Sequence, residues 1–389
     1  MFKRIYLDYA AATPVDSRVK KAMDGFSLLG FANPAGLHEE GLCAKRALES
    51  ARENVADFIG AKPHEIVFTS STTESNNLAI LGTARANGKF GKHLVTTAAE
   101  HISVLNVFKQ LEKEGFEVAY LSVDEFGRVS AEAVKSAIRP DTILISVIFA
   151  SNEIGSINPI GSIGQVIKGR KGGNGWPYFH TDAAQAAPHI KINVQDLGID
   201  LMSFSASKMY GPKGAAALYI KHGTKTEPIM FGGSQEGGMR PGTQDVAGVV
   251  GFAKAVEITK SESVVEDKRL QTLRDKIISE IKSAVPDVLI NGHPSERLAN
   301  NINFSVPGLK GEELVLAMDM AGFALSTRSA CDVHGATPPH VIKALGRTDE
   351  QACGALRITL GRYTTAEDVD RFIKVFIENI GRLMQNLKI

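Results

Sequence analysis

Between residues 65 and 220, short apolar segments alternate with longer amphipathic ones. The short segments fall at 65–69, 94–97, 117–121, 142–150, 178–181, 201–205 and 215–220, and 142–150 is strongly β-branched. Helical spacing of apolar residues occupies 76–86, 103–114, 131–137 and 160–167 between them. A strand followed by a helix and then another strand pairs in parallel, and a parallel sheet needs covering on its faces. The fold class is therefore α/β, a mostly parallel sheet covered by helices in a large domain.

The flanks read differently. Residues 5–8 form a short strand, and Tyr9-Ala-Ala-Ala-Thr-Pro14 a small-residue loop. Asp16 or Ser17 caps a helix, Asn33-Pro34-Ala35-Gly36 breaks the chain, and 38–60 is helical, with Leu42, Leu48, Val55, Phe58 and Ile59 apolar. From about Val246 the strict alternation ends. Helical patterns cover 246–259, 264–284, 312–321 and 366–387, with strands at 288–291, 301–305, 323–326 and 356–360. This predicts a second, smaller α+β domain.

Composition narrows the function. The chain has 389 residues, 43% hydrophobic and 22% charged, enough for two cores. A formal net charge of +1 argues against nucleic acid or an anionic membrane as a direct partner. No apolar run is long enough to span a bilayer, and the opening Met-Phe-Lys-Arg-Ile-Tyr-Leu-Asp lacks the apolar stretch of a secretory signal. The three cysteines, Cys43, Cys331 and Cys353, are odd in number and include no C-x-x-C pair. That argues against a disulfide framework or a metal site and for a reducing, cytoplasmic setting.

Chemistry-bearing residues gather just after predicted strands. His101 follows 94–97, Asn152 follows 142–150, Asp182 and Gln185 follow 178–181, and Lys208 follows 201–205, just before a Tyr-Gly-Pro turn. Ser70-Ser-Thr-Thr-Glu-Ser75 precedes a helix start, where hydroxyls and free N–H groups suit an anion. Ligands of open parallel sheets bind at the carboxyl ends of strands. Taken singly, these residues also read as a solvated lysine, a helix cap and a locally satisfied histidine. Together they suit pyridoxal 5'-phosphate, which needs a Schiff-base lysine, an anion at its ring nitrogen, a flat partner and a phosphate cup.

The chain resembles the cysteine desulfurases of the bacterial iron–sulfur and nitrogen-fixation type. These are class V aminotransferase relatives with the fold-type I architecture of pyridoxal-phosphate-dependent transferases. The likeness runs nearly end to end. It is carried by Tyr6-Leu-Asp-Tyr-Ala-Ala-Ala-Thr-Pro14, Asn33-Pro34 with His38, residues 69–77, Ala99-Glu-His101, Asn152-Glu-Ile-Gly155, His180-Thr-Asp-Ala-Ala-Gln185, residues 203–214, Gly238-Met-Arg-Pro-Gly-Thr243, Ser329-Ala-Cys331 and Arg357-Ile-Thr-Leu-Gly-Arg362.

The resemblance implies a large cofactor-binding domain over 15–262 and a small domain of 1–14 with 263–389 that carries the nucleophile loop. It implies Lys208 as Schiff-base lysine and proton shuttle, Asp182 at the pyridinium nitrogen, Gln185 at the phenolic oxygen and His101 stacked on the ring. Thr73, Ser205 and Ser207 would hold the phosphate, with Thr243 reaching it from the second subunit of a homodimer. Asn33, Asn152 and Arg357 would bind the L-cysteine substrate, Asn152 also facing the cofactor, and Cys331 would take the sulfur as a persulfide for an acceptor protein. The sulfur would serve iron–sulfur cluster assembly or tRNA thiolation.

The chain departs from the family pattern in places. Ser207 stands where a phosphate-holding histidine is usual, and Arg328 replaces a glycine before the nucleophile. Positive charge on Arg328 and His334 would lower the Cys331 pKa, unless Arg328 pairs elsewhere. Some relatives have a longer tail that docks an iron–sulfur scaffold, which the end at Ile389 does not imply. Cys43 and Cys353 read as inert core residues within helices. A selenocysteine lyase or another β-lyase would share the same cofactor residues. A non-catalytic relative would have lost Lys208 or Cys331, and a nicotinamide-binding enzyme would want a G-x-G-x-x-G after its first strand; neither condition is met.

Overall fold

In the computed structural model, which describes residues 4–28, 30–171, 175–327 and 338–386, the chain opens with β1 (Ile5–Tyr6), α1 (Ser17–Leu28) and α2 (Glu39–Phe58). It then lays down β2 (Ile66–Thr69), β3 (His93–Thr97), β4 (Glu117–Leu121), β5 (Thr142–Ser146), β6 (Tyr178–Asp182), β7 (Leu201–Ser205) and β8 (Ala216–Ile220). Helices α3 (Thr72–Asn87), α4 (Ile102–Lys113), α5 (Ala131–Ala137) and α6 (Ile160–Arg170) link β2 to β6, one helix between each successive pair of strands. The seven strands form one sheet in the order β2-β8-β7-β6-β5-β3-β4. From β4 across to β7 every pair is parallel, and β8 is antiparallel to both neighbours. The connection 206–215 is too short for a helical crossover, so β8 runs back along β7.

Alternate strand residues face opposite layers. Val67, Leu94, Leu201 and Leu218 pack with Leu78, Val104 and Phe108 of α3 and α4. Phe68, Val95, Met202, Phe204 and Ala217 pack on the other side with Leu48 and Val55 of α2 and with Ile163 and Ile167 of α6. Both faces are therefore dry, which is why the strands lack a polar alternation.

The rest of the chain comprises α7 (Val246–Ala284), β9 (Leu289–Ile290), β10 (Asn301–Ser305), α8 (Gly311–Met320), β11 (Phe323–Ala324), α9 (His340–Ala344), α10 (Asp349–Cys353), β12 (Ala355–Thr359) and α11 (Ala366–Asn386). Antiparallel β12-β10-β9 makes a second sheet, and β1 pairs in parallel with β11, Ile5 beside Phe323. Ile5 and Leu7 share a separate core with Ile277, Phe304, Leu356 and Phe376. Among the described residues no helix is long and apolar enough to cross a membrane.

Several local expectations change. The patterns at 246–259 and 264–284 belong to one 39-residue helix. Nothing between them breaks a helix; the apolar stripe shifts because α7 passes from the first core to the second, leaving Val264 and Val265 exposed. Helix α3 starts at Thr72, not near 76, because the Ser71 hydroxyl caps it by accepting from the Glu74 N–H at 3.1 Å. The strand at 142–150 ends at Ser146, although Val147 and Phe149 still donate to the His180 and Asp182 carbonyls. Cys43 and Cys353 are exposed, not in the core.

One buried ion pair seals the outer edge of the sheet. Arg52 of α2 donates to both carboxylate oxygens of Glu236 at 2.7 and 2.9 Å, and the Glu236 side chain is 1% exposed. Arg52 also donates to the Ile66 carbonyl, and the Phe68 N–H donates to Glu236, so the open edge of β2 is satisfied. Removing one partner strands a buried charge. Glu236→Ala is expected to lower unfolding stability by roughly 3–5 kcal/mol. A urea-unfolding midpoint equal to wild type would rule the anchor out.

Candidate active site

The carboxyl ends of β2, β3, β5, β6 and β7 open onto one cavity of about 290 Å³. Thr73, His101, Asn152, Asp182, Gln185, Ser205, Ser207, Lys208 and Arg357 all line it. Asn33 and Thr243 are absent from the described lining: both are exposed, and the Asn33 carboxamide closes a turn by accepting from the Ala35 N–H at 3.0 Å. Arg328, Cys331 and His334 lie outside the described residues.

Lys208 ends a short turn, Ala206–Lys208, directly after β7. Its Nζ donates to the carbonyls of Ala10 and Ala11 at 2.8 and 2.5 Å. The Gln185 amide donates to the same Ala10 carbonyl at 2.9 Å. The alanine run lets this loop come close to the amine, which is what fixes its direction. Beyond the lysine, Tyr210 adopts φ +60, a left-handed conformation that costs a residue with a side chain about 1–3 kcal/mol. It is held there by the Thr13 hydroxyl, which accepts from its N–H at 2.9 Å, by the Arg362 N–H donating to its phenol at 2.6 Å, and by the Arg362 guanidinium 4.5 Å from its ring centre. The reversal that aims Lys208 is thus built into the backbone.

Asp182, the last residue of β6, is 4% exposed. Its Oδ1 accepts from the Ala184 N–H at 2.9 Å and its Oδ2 from Asn76 Nδ2 at 2.8 Å. His101 caps α4, its Nδ1 accepting from the Ser103 N–H at 3.2 Å and lying 2.7 Å from the Ser103 hydroxyl. Burial pushes the imidazole below the usual histidine range; Asp182 opposes this, and Lys208, His340 and Arg357 reinforce it. Glu100, wholly buried, accepts from the Ile148 N–H at 2.7 Å, and burial pushes its carboxyl well above the usual range. It fastens the loop after β5 to the loop that carries His101.

Hydroxyls collect at one end of the cavity. Thr72 and Thr73 stand in the first turn of α3, and the Ser205 and Ser207 hydroxyls are 3.2 Å apart after β7. The Thr72 hydroxyl is buried without a hydrogen-bond partner among the described residues. Buried donors of this kind point to a bound acceptor. A helix N-terminus ringed by hydroxyls, one of them unspent, fits a phosphate. The wider donor set, an amine and an N–H-bonded carboxylate beside that cup, fits pyridoxal phosphate.

Arg357 of β12, which also lines the cavity, is 1% exposed. One terminal nitrogen donates to Asp8 at 2.7 Å, the other to the Asn152 carbonyl at 3.1 Å, and its buried Nε has no partner among the described residues. Its backbone pairs with Ser326. The chain leaves the described structure just past this pair, at Thr327. After it resumes at residue 338, His340 Nε2 lies 2.9 Å from the Glu100 carbonyl, one residue from His101. Ser326 and His340 thus each bond to a residue at or next to the site.

The sequence missed Asn76, Ser103, Asp8 and Glu100 as site residues. Glu100, Asp8 and Asn76 sit in family-like blocks, a signal that could have marked them. Nothing local marks Ser103.

A doubly covered parallel sheet with a lysine, a carboxylate and a hydroxyl-ringed helix start at its strand ends defines a class, and the chain belongs to the aminotransferase class-V family, which it matches over residues 5–372. Within it, the chain is 47% identical over 383 residues to the cysteine desulfurase IscS of Dictyoglomus turgidum, covering 98% of this chain and 96% of that one. It is 45% identical over 381 residues to the cysteine desulfurase IscS of Methanosarcina thermophila, covering 98% and 93%. Among solved structures it is similar to a NifS-like protein, with a TM-score of 0.91 at 36% identity, covering 97% of this chain and 99% of that one. It is also similar to SspA in complex with cysteine, with a TM-score of 0.82 at 37% identity, covering 93% and 100%.

Proposed function

We propose that the protein is a pyridoxal-phosphate-dependent cysteine desulfurase that converts L-cysteine to L-alanine and leaves the sulfur as a persulfide on Cys331. One observation carries the reading: Lys208, Asp182 and Arg357 line one cavity, and the chain that bears Cys331 departs from and returns to its rim. Cys331 is five residues beyond Ser326, within about 17 Å of extended chain.

Thr72, Thr73, Ser205 and Ser207 would hold the cofactor's phosphate, Asp182 its ring nitrogen, Gln185 its phenolic oxygen, and His101 the face of its ring. Thr243, exposed and outside its own chain's cavity, would complete the cup in the second subunit of a homodimer. It follows a loop tied to α3, where Arg240 pairs with Glu74 at 2.9 Å. Bound pyridoxal phosphate supplies an electron-withdrawing ring that makes the substrate's α-carbon acidic and weakens the adjacent bond from Cβ to sulfur.

The protein's own groups do the rest. Arg357 binds the substrate carboxylate, with Asn152 beside it and Asn33 contributing from the nearby turn. Lys208 takes a proton from the α-carbon and returns protons to carbon. The Cys331 thiolate attacks the substrate sulfur: the S–S bond forms, the bond from Cβ to sulfur breaks, and its electron pair becomes a C–H bond of alanine. The substrate sulfur, oxidised to the sulfane level as carbon takes that electron pair, stays on Cys331. It passes to a sulfur-acceptor protein serving iron–sulfur cluster assembly or tRNA thiolation. A cytoplasmic, reducing setting keeps that thiol competent.

The test is to incubate the protein with pyridoxal phosphate and L-cysteine, measure alanine, and map persulfide by mass spectrometry after alkylation. The expected result is catalytic alanine release with persulfide on Cys331. Cys43 and Cys353, both exposed, are internal controls. Absence of alanine, or persulfide on the controls alone, overturns the reading.

A further inference from the structure

Asn76 is wholly buried on α3, one turn beyond Thr72 and Thr73. Its Nδ2 donates to Asp182 Oδ2 at 2.8 Å and to Ser103 Oγ at 2.9 Å. Ionised Asp182 only accepts hydrogen bonds, so the nitrogen of the carboxamide must be the atom that faces it. Both amide hydrogens are then spent. The Ser103 oxygen, having accepted one of them, keeps its own hydrogen to give. The neighbouring acceptor is His101 Nδ1, 2.7 Å away, which already accepts from the Ser103 N–H at 3.2 Å.

A backbone N–H can only donate, so Nδ1 presents a lone pair to both groups. The hydrogen of a neutral His101 ring is thereby placed on Nε2. We infer that Asn76 is a positioning residue that fixes the direction of the Asp182 carboxylate and, by orienting the Ser103 hydroxyl onto Nδ1, reinforces the Nε2–H tautomer that the Ser103 N–H sets on His101. One amide thus sets two groups on two other elements, β6 and α4, from the helix that also forms the hydroxyl cup. Its catalytic meaning rests on the proposed desulfurase reading, in which the two groups flank the cofactor ring. The tautomer itself is a property of the protein alone.

The test is two-bond proton–nitrogen correlation NMR on the full chain labelled with 15N-histidine, before and after loading with pyridoxal phosphate. The His101 signals are assigned by their loss in His101→Gln. In wild type, both states should show Nδ1 unprotonated and Nε2 protonated. In Asn76→Leu the Ser103 N–H still holds Nδ1 as an acceptor, but the hydroxyl loses the donor that orients it, so Nε2 should stay protonated while the Nδ1 resonance moves toward that of a less hydrogen-bonded nitrogen. Loaded Asn76→Leu should lose roughly 10- to 100-fold in kcat for cysteine with little change in KM. If that variant does not fold, Ser103→Ala removes the hydroxyl alone, leaves the backbone N–H on Nδ1, and should move the Nδ1 resonance in the same direction. A wild-type ring protonated on Nδ1, or an Nδ1 resonance that both variants leave where wild type has it, overturns the inference even if desulfurase activity stands. Absent activity with the Nε2–H ring in place overturns the reading of function and leaves the inference intact.

Discussion

Lys208→Ala will release alanine from L-cysteine at least about 10⁴-fold more slowly than wild type. The argument is positional. The amine sits at the end of β7, held on the Ala10 and Ala11 carbonyls and aimed by a left-handed Tyr210 backbone. Among the described residues lining the cavity, the other lysine is Lys213, an exposed residue past the Gly-Pro reversal. Its stem starts from the far side of the turn, so it does not replace the lost proton carrier. The fold should survive. The Ala10 carbonyl keeps Gln185 as a donor, and the Ala11 carbonyl faces the cavity, so the loss in stability is about 1 kcal/mol. Borohydride treatment separates this outcome from mere loss of binding: reduction fixes the cofactor to wild type at residue 208 and leaves the variant unlabelled. Alanine release within tenfold of wild type, or labelling of the variant, would show that another amine carries the chemistry.

The parts of this molecule that were legible in the sequence share one property: their signal is local. Apart from the edge strand β4, each strand of the large sheet is buried on both faces, so its apolar run stands out without knowledge of its partners. Lys208, Asp182 and His101 follow such runs directly, and a parallel sheet delivers all such ends to one edge. What was hidden depends on encounters across the chain. Asp8 meets Arg357 from the opposite end of the sequence, and Asn76 meets Ser103 only because α3 and α4 pack side by side. The start of α3 was misplaced because consecutive serines and threonines read as loop, whereas Ser71 uses its hydroxyl to begin the helix. The exposure of Cys43 was recoverable from helical phase. Ala44, Leu48, Ala51 and Val55 form the buried stripe of α2, and Cys43 falls off it.

Arg357→Lys, though it keeps the positive charge, should lower kcat/KM for L-cysteine by about two orders of magnitude, mostly through KM. A planar fork already fastened at two points is what the structure presents: one nitrogen on Asp8, the other on the Asn152 carbonyl, with the ε N–H unspent. Those anchors hold the plane of the guanidinium before any carboxylate arrives, so little freedom remains to be lost on binding. A lysine ammonium has no plane to orient and cannot span both anchors. It either follows Asp8 and abandons the substrate, or serves the substrate and leaves Asp8 unpaired. Truncating one partner of a buried, hydrogen-bonded charge pair costs roughly 2–5 kcal/mol, which is about 30- to 4000-fold in affinity. Cysteamine, which has the thiol and amine of cysteine but no carboxylate, isolates the cause. Its binding should differ little between wild type and Arg357→Lys, because the group that Arg357 recognises is missing. A variant equally impaired toward both ligands would mean that Arg357 acts by holding β12 to Asp8 and the loop after β5, and not by reading the substrate.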